Sequence, residues 1–298
     1  MIFSKQKQRL SAFLGDPARA PLAADHHVAS RIPESPKVSV IVPTHDGRLP
    51  FLKQAVASVR AQSYRDWELV VVDAASRDGT ARWLASQKIP ALRRVRLARN
   101  PGPVAAYNAG IRASRGELCA FLDSDDFWKP SYLRIMAPLF ERRPELQVAC
   151  SWCEIEDVGS SKPRYKWAPR WNRVFSGLTG MPRPMSFSMT VVRRSAFSRT
   201  GFLDPSFRWV SFDVDFMYRA ALAWGTRAFV YVRRALAVYR RHPNQTTHWL
   251  QMSGHDIGKV GEWASLDPRQ RESLVDMACF YHRYEAVIGR YAADRSAF

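Results

Sequence analysis

A chain of 298 residues, 46% of them apolar, suits one large α/β domain, or one domain with appendages, and has ample material for a core. Its formal net charge of +18 attracts anionic partners, yet no helix-turn-helix, zinc-finger or RNP-type aromatic signature accompanies that charge, so no specific nucleic-acid partner is expected. No apolar run reaches the ~18 residues of a membrane span, the N-terminus lacks a signal-peptide core, and four cysteines do not make a disulfide framework. The expected location is the cytoplasm, and the dispersed basic surface suits peripheral attachment to an anionic inner membrane face. Cys150 and Cys153 have redox-motif spacing but lie in an apolar stretch without a helix start, which predicts inert buried thiols.

Residues 1–36 read as an N-terminal arm and linker, basic at first and then rich in Ala, His and Pro. Val38–Val42 reads as a buried strand ending in Pro43-Thr44-His45-Asp46. Leu49, Leu52, Ala55, Val56 and Val59 then recur at helical spacing. Trp67–Val72 is a second strand ending at Asp73, and Asp78 is placed to cap a helix that runs to about Gln87. Val95–Leu97 is a short strand followed by Asn100-Pro101-Gly102-Pro103, and a helix from Val104 to Ser114 leads to a strand over Leu118–Leu122. A helix after Pro130 runs to about Arg142, and Leu146–Ile155 reads as a further strand of the same sheet. Residues 156–184, rich in Lys, Arg, Trp, Pro and Gly, read as a loop or lid, and Ser186–Val192 alternates weakly as a strand. Phe212–Trp224 reads as a helix, Ala228–Tyr239 as one or two strands, and the tail from about Trp249 as helical.

Apolar strands alternating with helices predict an α/β fold: a mostly parallel sheet covered by helices on both faces. Right-handed crossovers then bring Pro43–Asp46, Asp73, Asn100–Tyr107 and Asp123–Asp126 to one sheet edge. That carboxyl edge is where ligands bind in open α/β sheets. Asp123, Asp125 and Asp126 crowd the end of the fourth strand, and carboxylates so close need a compensating cation. Hard oxygen ligands favour Mg²⁺ or Mn²⁺ shared with substrate phosphates. The alternative is a solvated turn that caps the helix after Pro130.

These segments together resemble family 2 glycosyltransferases of the GT-A fold, strongly over residues 37–145 and more weakly over 185–247. Val38–Asp46 looks like the family's first strand and nucleotide-binding turn, and Ser58–Asp73 like its first helix and second strand. Asn100-x-Gly102 with Asn108-x-Gly110 resembles the entry to the donor-proximal helix, and Phe121–Asp126 sits where the family keeps its Asp-x-Asp. The resemblance implies a Rossmann-like GT-A domain over 37–247. Its nucleotide-sugar half is 37–145, its acceptor half is 146–247, and a helical acceptor-side extension covers 248–298.

The implied reaction moves a sugar from a nucleoside diphosphate sugar, first of all a UDP-sugar, to an acceptor hydroxyl with inversion. The acceptor class is a glycan or lipid-linked molecule of cell-surface polysaccharide or glycolipid synthesis. The donor site then comprises Pro43, Thr44, His45, Asp73, Tyr107, Asn108, Asp123, Ser124 and Asp125. A Mn²⁺ or Mg²⁺ ion falls to Asp123 and Asp125, with His242 either completing its shell or contacting the diphosphate and Arg240 or Arg241 near phosphate. Asp73 either accepts from a base N–H or caps the following turn, and His45 either stacks on the base or is an ordinary turn residue. Inversion also needs a general base. Gly201–Asp204 and Phe212–Phe216 resemble the segments that supply it, which makes Asp213 the base, with Asp215 and Asp204 as alternatives.

Three departures from the family pattern stand out: Tyr107 for a common Arg, Ala74 for a second acid, and Phe212 for the Glu before the base. A nicotinamide oxidoreductase would show Gly-x-Gly-x-x-Gly after the first strand, and Pro43–Gly47 lacks it. The competing reading from another class is a catalytically inactive relative that binds nucleotide sugars or glycans.

Overall fold

The computed structural model describes residues 35–167 and 186–245, with Arg271, Glu272, Val275, Asp276 and Arg283. The expected N-terminal arm therefore lies almost wholly outside the described residues, as do most of the expected lid over 156–184 and most of the expected C-terminal helices. The five described residues beyond 245 are helical.

The first half alternates as its sequence predicts: β1 (Val38–Thr44), α1 (Leu49–Arg60), β2 (Trp67–Asp73), α2 (Thr80–Ser86), β3 (Leu92–Arg96), α3 (Pro103–Ala113) and β4 (Leu118–Phe121). Then come β5 (Phe127–Trp128), α4 (Tyr132–Arg142), β6 (Val148–Asp157), β7 (Tyr165–Trp167), β8 (Thr190–Arg193), α5 (Phe197–Thr200), α6 (Phe212–Trp224) and β9 (Phe229–Arg241). One nine-stranded sheet has the order β3-β2-β1-β4-β8-β6-β9-β5, with β7 on β6. The β3-β2-β1-β4 block is parallel throughout, so the ends of those strands share one edge. β8 enters antiparallel to both β4 and β6, which restores the direction of β6 and of its parallel neighbour β9. The sheet is therefore mixed, with β5, β7 and β8 reversed.

Strand alternation divides the core into two layers. Val38, Val40, Val42, Leu69 and Val71 face a cluster that includes Leu52, Ala55, Val56 and Val59 of α1 and Met136 and Phe140 of α4. Ile41, Val70 and Val72 face the opposite way, towards α3 and α6. Continuous apolar strands are thus explained by burial on both faces.

Gly110 sits where α3 lies closest to the sheet. A Cβ there would come within 2.4 Å of Ile41 Cγ2 and 3.2 Å of Val72 Cγ2. Both neighbours are fully buried, and a β-branched Cγ2 has little rotamer freedom to withdraw. Gly110→Ala should therefore cost about 1–3 kcal/mol despite the higher helix propensity of Ala, measured by chemical denaturation. An unchanged midpoint would show that α3 shifts freely over the sheet.

The sequence pattern missed some elements. β5 is only two residues long, too short for any period to register. Within the stretch read as a loop, Tyr165–Trp167 pairs with Ile155–Cys153, while 168–185 lie outside the described residues. Ser186 caps a short 3-10 turn over Phe187–Met189, its Oγ accepting from Ser188 N at 3.1 Å, and this delays β8 to Thr190. Cys150 and Cys153 are buried on β6, and burial pushes each thiol up to about 12, as inert thiols require.

Candidate active site

The ends of β1 and β2 stand side by side, with Thr44 opposite Asp73 in register. Thr44 Oγ1 and Ser76 Oγ are both buried without a hydrogen-bond partner among the described residues. Orphaned hydroxyls at a carboxyl sheet edge call for a polar partner, either an ordered water or a ligand. Asp73 is buried between them; Oδ1 accepts from Ser76 N at 2.9 Å and Oδ2 pairs with Arg96. The turn-capping role of Asp73 is thus present in the molecule. Pro43 is buried in β1, and His45 just beyond it lies 3.5 Å from Arg48 Nε.

The Asp-x-Asp-Asp cluster follows β4. Asp125 Oδ2 lies 2.7 Å from Arg48 Nη1 and 3.1 Å from His242 Nε2. Arg48 Nη1 is also 2.7 Å from His242 Nε2, and its Nη2 donates to the Asn244 carbonyl at 2.9 Å. The His242 ring stacks on Phe51 with centroids 4.8 Å apart, which fixes its plane. A carboxylate oxygen and an imidazole nitrogen therefore converge on one point, and a guanidinium nitrogen holds that point.

Asp123 has different partners. Its Oδ1 accepts from Tyr107 Oη and its Oδ2 from Ser186 Oγ and Ser188 Oγ, each at 3.1 Å. Tyr107 is fully buried among Phe121, Phe187 and Phe212 and acts on the cluster only through that hydroxyl. Ser124 is buried in the turn between the acids. Asp126 accepts from the Arg240 backbone N at 2.9 Å.

Desolvation and mutual repulsion polarise the three acids. Burial and the Asp125 charge push Asp123 up to about 6, and burial with both neighbouring acids pushes Asp126 well above the carboxylate range. Burial opposes the ionised form of Asp125 too, but His242 and the Arg48 charge outweigh it and hold that carboxyl low. Of the three acids Asp125, next to His242, is the one held below the ordinary carboxylate range.

Arg240 and Arg241 separate to opposite faces of β9. Arg240 is 1% exposed and donates to the Asp125 carbonyl and to Gln54 Oε1, the latter at 2.6 Å. Arg241 pairs with Asp157 at 2.6 Å. Arg240 thus supports the carboxylate turn from beneath. Asn108 uses its whole amide on Leu203, donating to its carbonyl at 2.8 Å and accepting from its N at 3.0 Å. This tie joins α3 to the loop that leads to α6.

That loop ends at Ser211, whose left-handed φ of 65° precedes the first turn of α6. Asp213 and Asp215 both lie in this turn. Asp215 is fully buried, with Oδ2 held by Arg219 and Oδ1 by Arg283, each at 2.8 Å. Asp204 pairs with Arg283 at 2.7 Å and accepts from Ser206 N at 2.8 Å. Asp213 is partly exposed, and its Oδ1 accepts from Val214 N at 2.9 Å.

A model of the family described as "Glycosyl transferase family 2" matches residues 39–214. The chain belongs to that family. The match runs from β1 through the carboxylate cluster to the first turn of α6, so it takes in the ends of β1, β2 and β4 and stops short of β9 and His242. The O-antigen biosynthesis protein RfbC of Myxococcus xanthus is 29% identical over 195 residues, 64% of this chain and 15% of that protein. The chain spans about a third or less of the length of the first curated relatives it matches. Among solved structures, S. aureus TarS 1-349 in complex with UDP-GlcNAc aligns with a TM-score of 0.52 at 17% identity, over 84% of this chain and 73% of that one. The mannosyltransferase PcManGT from Pyrobaculum calidifontis, in complex with GDP-Man and Mn²⁺, gives 0.53 at 19% identity, over 97% and 80%. At such identities the structural likeness speaks for the shared fold. No helix among the described residues is long and apolar enough to cross a membrane.

Arg48, Ser186, Ser188 and Arg96 escaped sequence reasoning. Arg48 directly follows the β1 turn at Gly47, and that position was its only available signal. Its partners Asp125 and His242 lie 77 and 194 residues away. The described C-terminal residues carried no motif, yet they grip the loop before α6. Asp276 accepts from the backbone N of Arg208 and Val210, each at 2.9 Å, and from Trp209 N.

Proposed function

We propose that this chain transfers a sugar from a nucleoside diphosphate sugar, a UDP-sugar in the first instance, to an acceptor hydroxyl with inversion. The observation that carries this reading is the convergence of Asp125 and His242 at the edge where Thr44 and Ser76 have hydroxyls without a partner among the described residues. A nucleoside would meet the β1–β2 end, and its diphosphate would lie towards Asp125. The donor-bound relatives support a nucleotide-sugar site of this kind, with UDP-GlcNAc in TarS and GDP-Man in PcManGT. RfbC supports a role in surface-polysaccharide synthesis, with a glycan or lipid-linked acceptor.

The donor set suits a divalent ion. One carboxylate and one imidazole leave room for diphosphate oxygens and water, the way Mg²⁺ and Mn²⁺ are usually shared with phosphates. Asp125 and His242 would hold such an ion, and Asp123, gripped by three hydroxyls, would set the turn from behind. Bound there, Mn²⁺ or Mg²⁺ supplies positive charge to the departing diphosphate. Arg48, whose guanidinium holds that point in this structure, would turn to a phosphate oxygen as the ion enters. Asp213 takes the acceptor proton as the sugar bond forms.

Calorimetric titration of UDP, GDP and TDP with and without Mn²⁺ tests the reading. One nucleotide is expected to bind with manganese and to lose that dependence in Asp125→Ala. Failure of every nucleotide to bind would leave the inactive-relative reading in its place.

A further inference from the structure

A second charged site lies away from the crevice. β6 and β9 run in parallel register from Val148↔Phe229 to Ser151↔Val232, and then Trp152 pairs with Ala235. Arg233 and Arg234 are left over in β9. A regular strand would send one of two successive residues to each face. This bulge instead leaves both arginines exposed, side by side. They line a cavity of about 300 Å³ with Lys129, Ser131, Trp152 and Lys166.

The charges in this cavity do not cancel. Lys129 pairs with Glu154 at 2.5 Å. No carboxylate pairs with Arg233, Arg234 or Lys166 among the described residues, and the Arg233 guanidinium lies 5.8 Å from the centre of the Trp152 ring. Three cations gathered around a concave surface repel one another and favour a multivalent oxyanion that takes several N–H donors together. Lys129 also ties the cavity to the crevice. It lies three residues after Asp126, a span of at most ~11 Å.

We infer that this cavity is a binding site for a phosphate group, and, on the reading of the chain as a glycosyltransferase, for a phosphate carried by the acceptor. Phosphate bound there would hold the acceptor by its anionic end. The same chemistry is offered by a soluble phosphate-bearing acceptor and by a phospholipid headgroup, and the two sources can be told apart.

The test uses the full chain with arginine Nε resonances as the readout. Glycerol 1-phosphate is titrated first, followed by phosphatidylglycerol vesicles with phosphatidylcholine vesicles as the control. Saturable shifts at Arg233 and Arg234, weakened about tenfold in Arg233→Ala/Arg234→Ala, are expected for a site that loses two charge-assisted contacts. Saturation by glycerol 1-phosphate assigns the site to a soluble phosphate. Binding confined to phosphatidylglycerol vesicles and weakened in the double variant assigns it to a lipid headgroup. Shifts that are absent, or spread evenly over all surface arginines, overturn the proposal. A parallel UDP titration keeps the readings distinct, since glycerol phosphate binding without nucleotide binding would sustain this site and remove the donor assignment.

Discussion

Asp213→Asn is expected to lower sugar transfer by about 10²–10⁴-fold, the usual contribution of a positioned general base, while nucleotide affinity stays at the wild-type value. The substitution keeps the shape and an oxygen to accept from Val214 N, while it removes the carboxylate charge and with it the capacity to take a proton. The expectation rests on an asymmetry between two acids of one helical turn. Both oxygens of Asp215 are taken by guanidinium groups in a fully buried place, so a proton arriving there would have to break an ion pair. Asp204 is likewise engaged by Arg283 and a turn N–H. Asp213 is partly exposed at the start of α6, and the proposed base is therefore this residue. Transfer rate and nucleotide affinity must be measured separately. Transfer undiminished in Asp213→Asn would dismiss it as the base, whereas loss of nucleotide affinity would show that the side chain shapes the donor site.

Arg240→Met should cost about 3–5 kcal/mol of stability, the range for breaking a buried charged network from one side. Arg240 is buried between the Phe51 and Phe127 rings, at 4.7 and 5.1 Å from their centres. Its guanidinium donates to the Asp125 carbonyl and to Gln54, groups that methionine would leave without a donor. It is also a positive charge beneath three crowded acids. Chemical denaturation gives the magnitude, and manganese-dependent UDP binding should weaken in parallel because the Asp125 turn loses its support. A loss below about 1 kcal/mol would mean that solvent reaches the guanidinium after all.

Much of the first half was legible because its signals are local. Val38–Val42 and Trp67–Val72 are buried on both sides, so their apolar runs report directly on a covered parallel sheet. α6 was bounded by Phe212 and Trp224 in the sequence and is so bounded in the fold, since Gly225 with a φ of 72° ends it. Tyr107 and Asn108 were legible as residues of the donor-side helix, but their partners were not. One supports Asp123 and the other grips Leu203, contacts that α3's own periodicity does not encode. Arg240 and Arg241 looked equivalent in the sequence until β9 sent one inward to the acid cluster and the other to Asp157.

Local signals in the amino-acid sequence were enough for the alternation of strands and helices from β1 to β4, the edge on which the acids gather, and the family. Each depends on burial patterns and spacings within a few turns of chain. Tertiary structure alone decided the rest. It reversed β8 between β4 and β6 and so carried β9 alongside the cluster, bringing His242 onto Asp125 across 117 residues. It put Arg48 where these two side chains converge, and it slipped the β6–β9 register so that two arginines face the same cavity. The physical reason is common to all three. Hydrogen-bond register and strand order are settled by the packing of the whole sheet, and a single residue's slip moves a side chain from one face to the other.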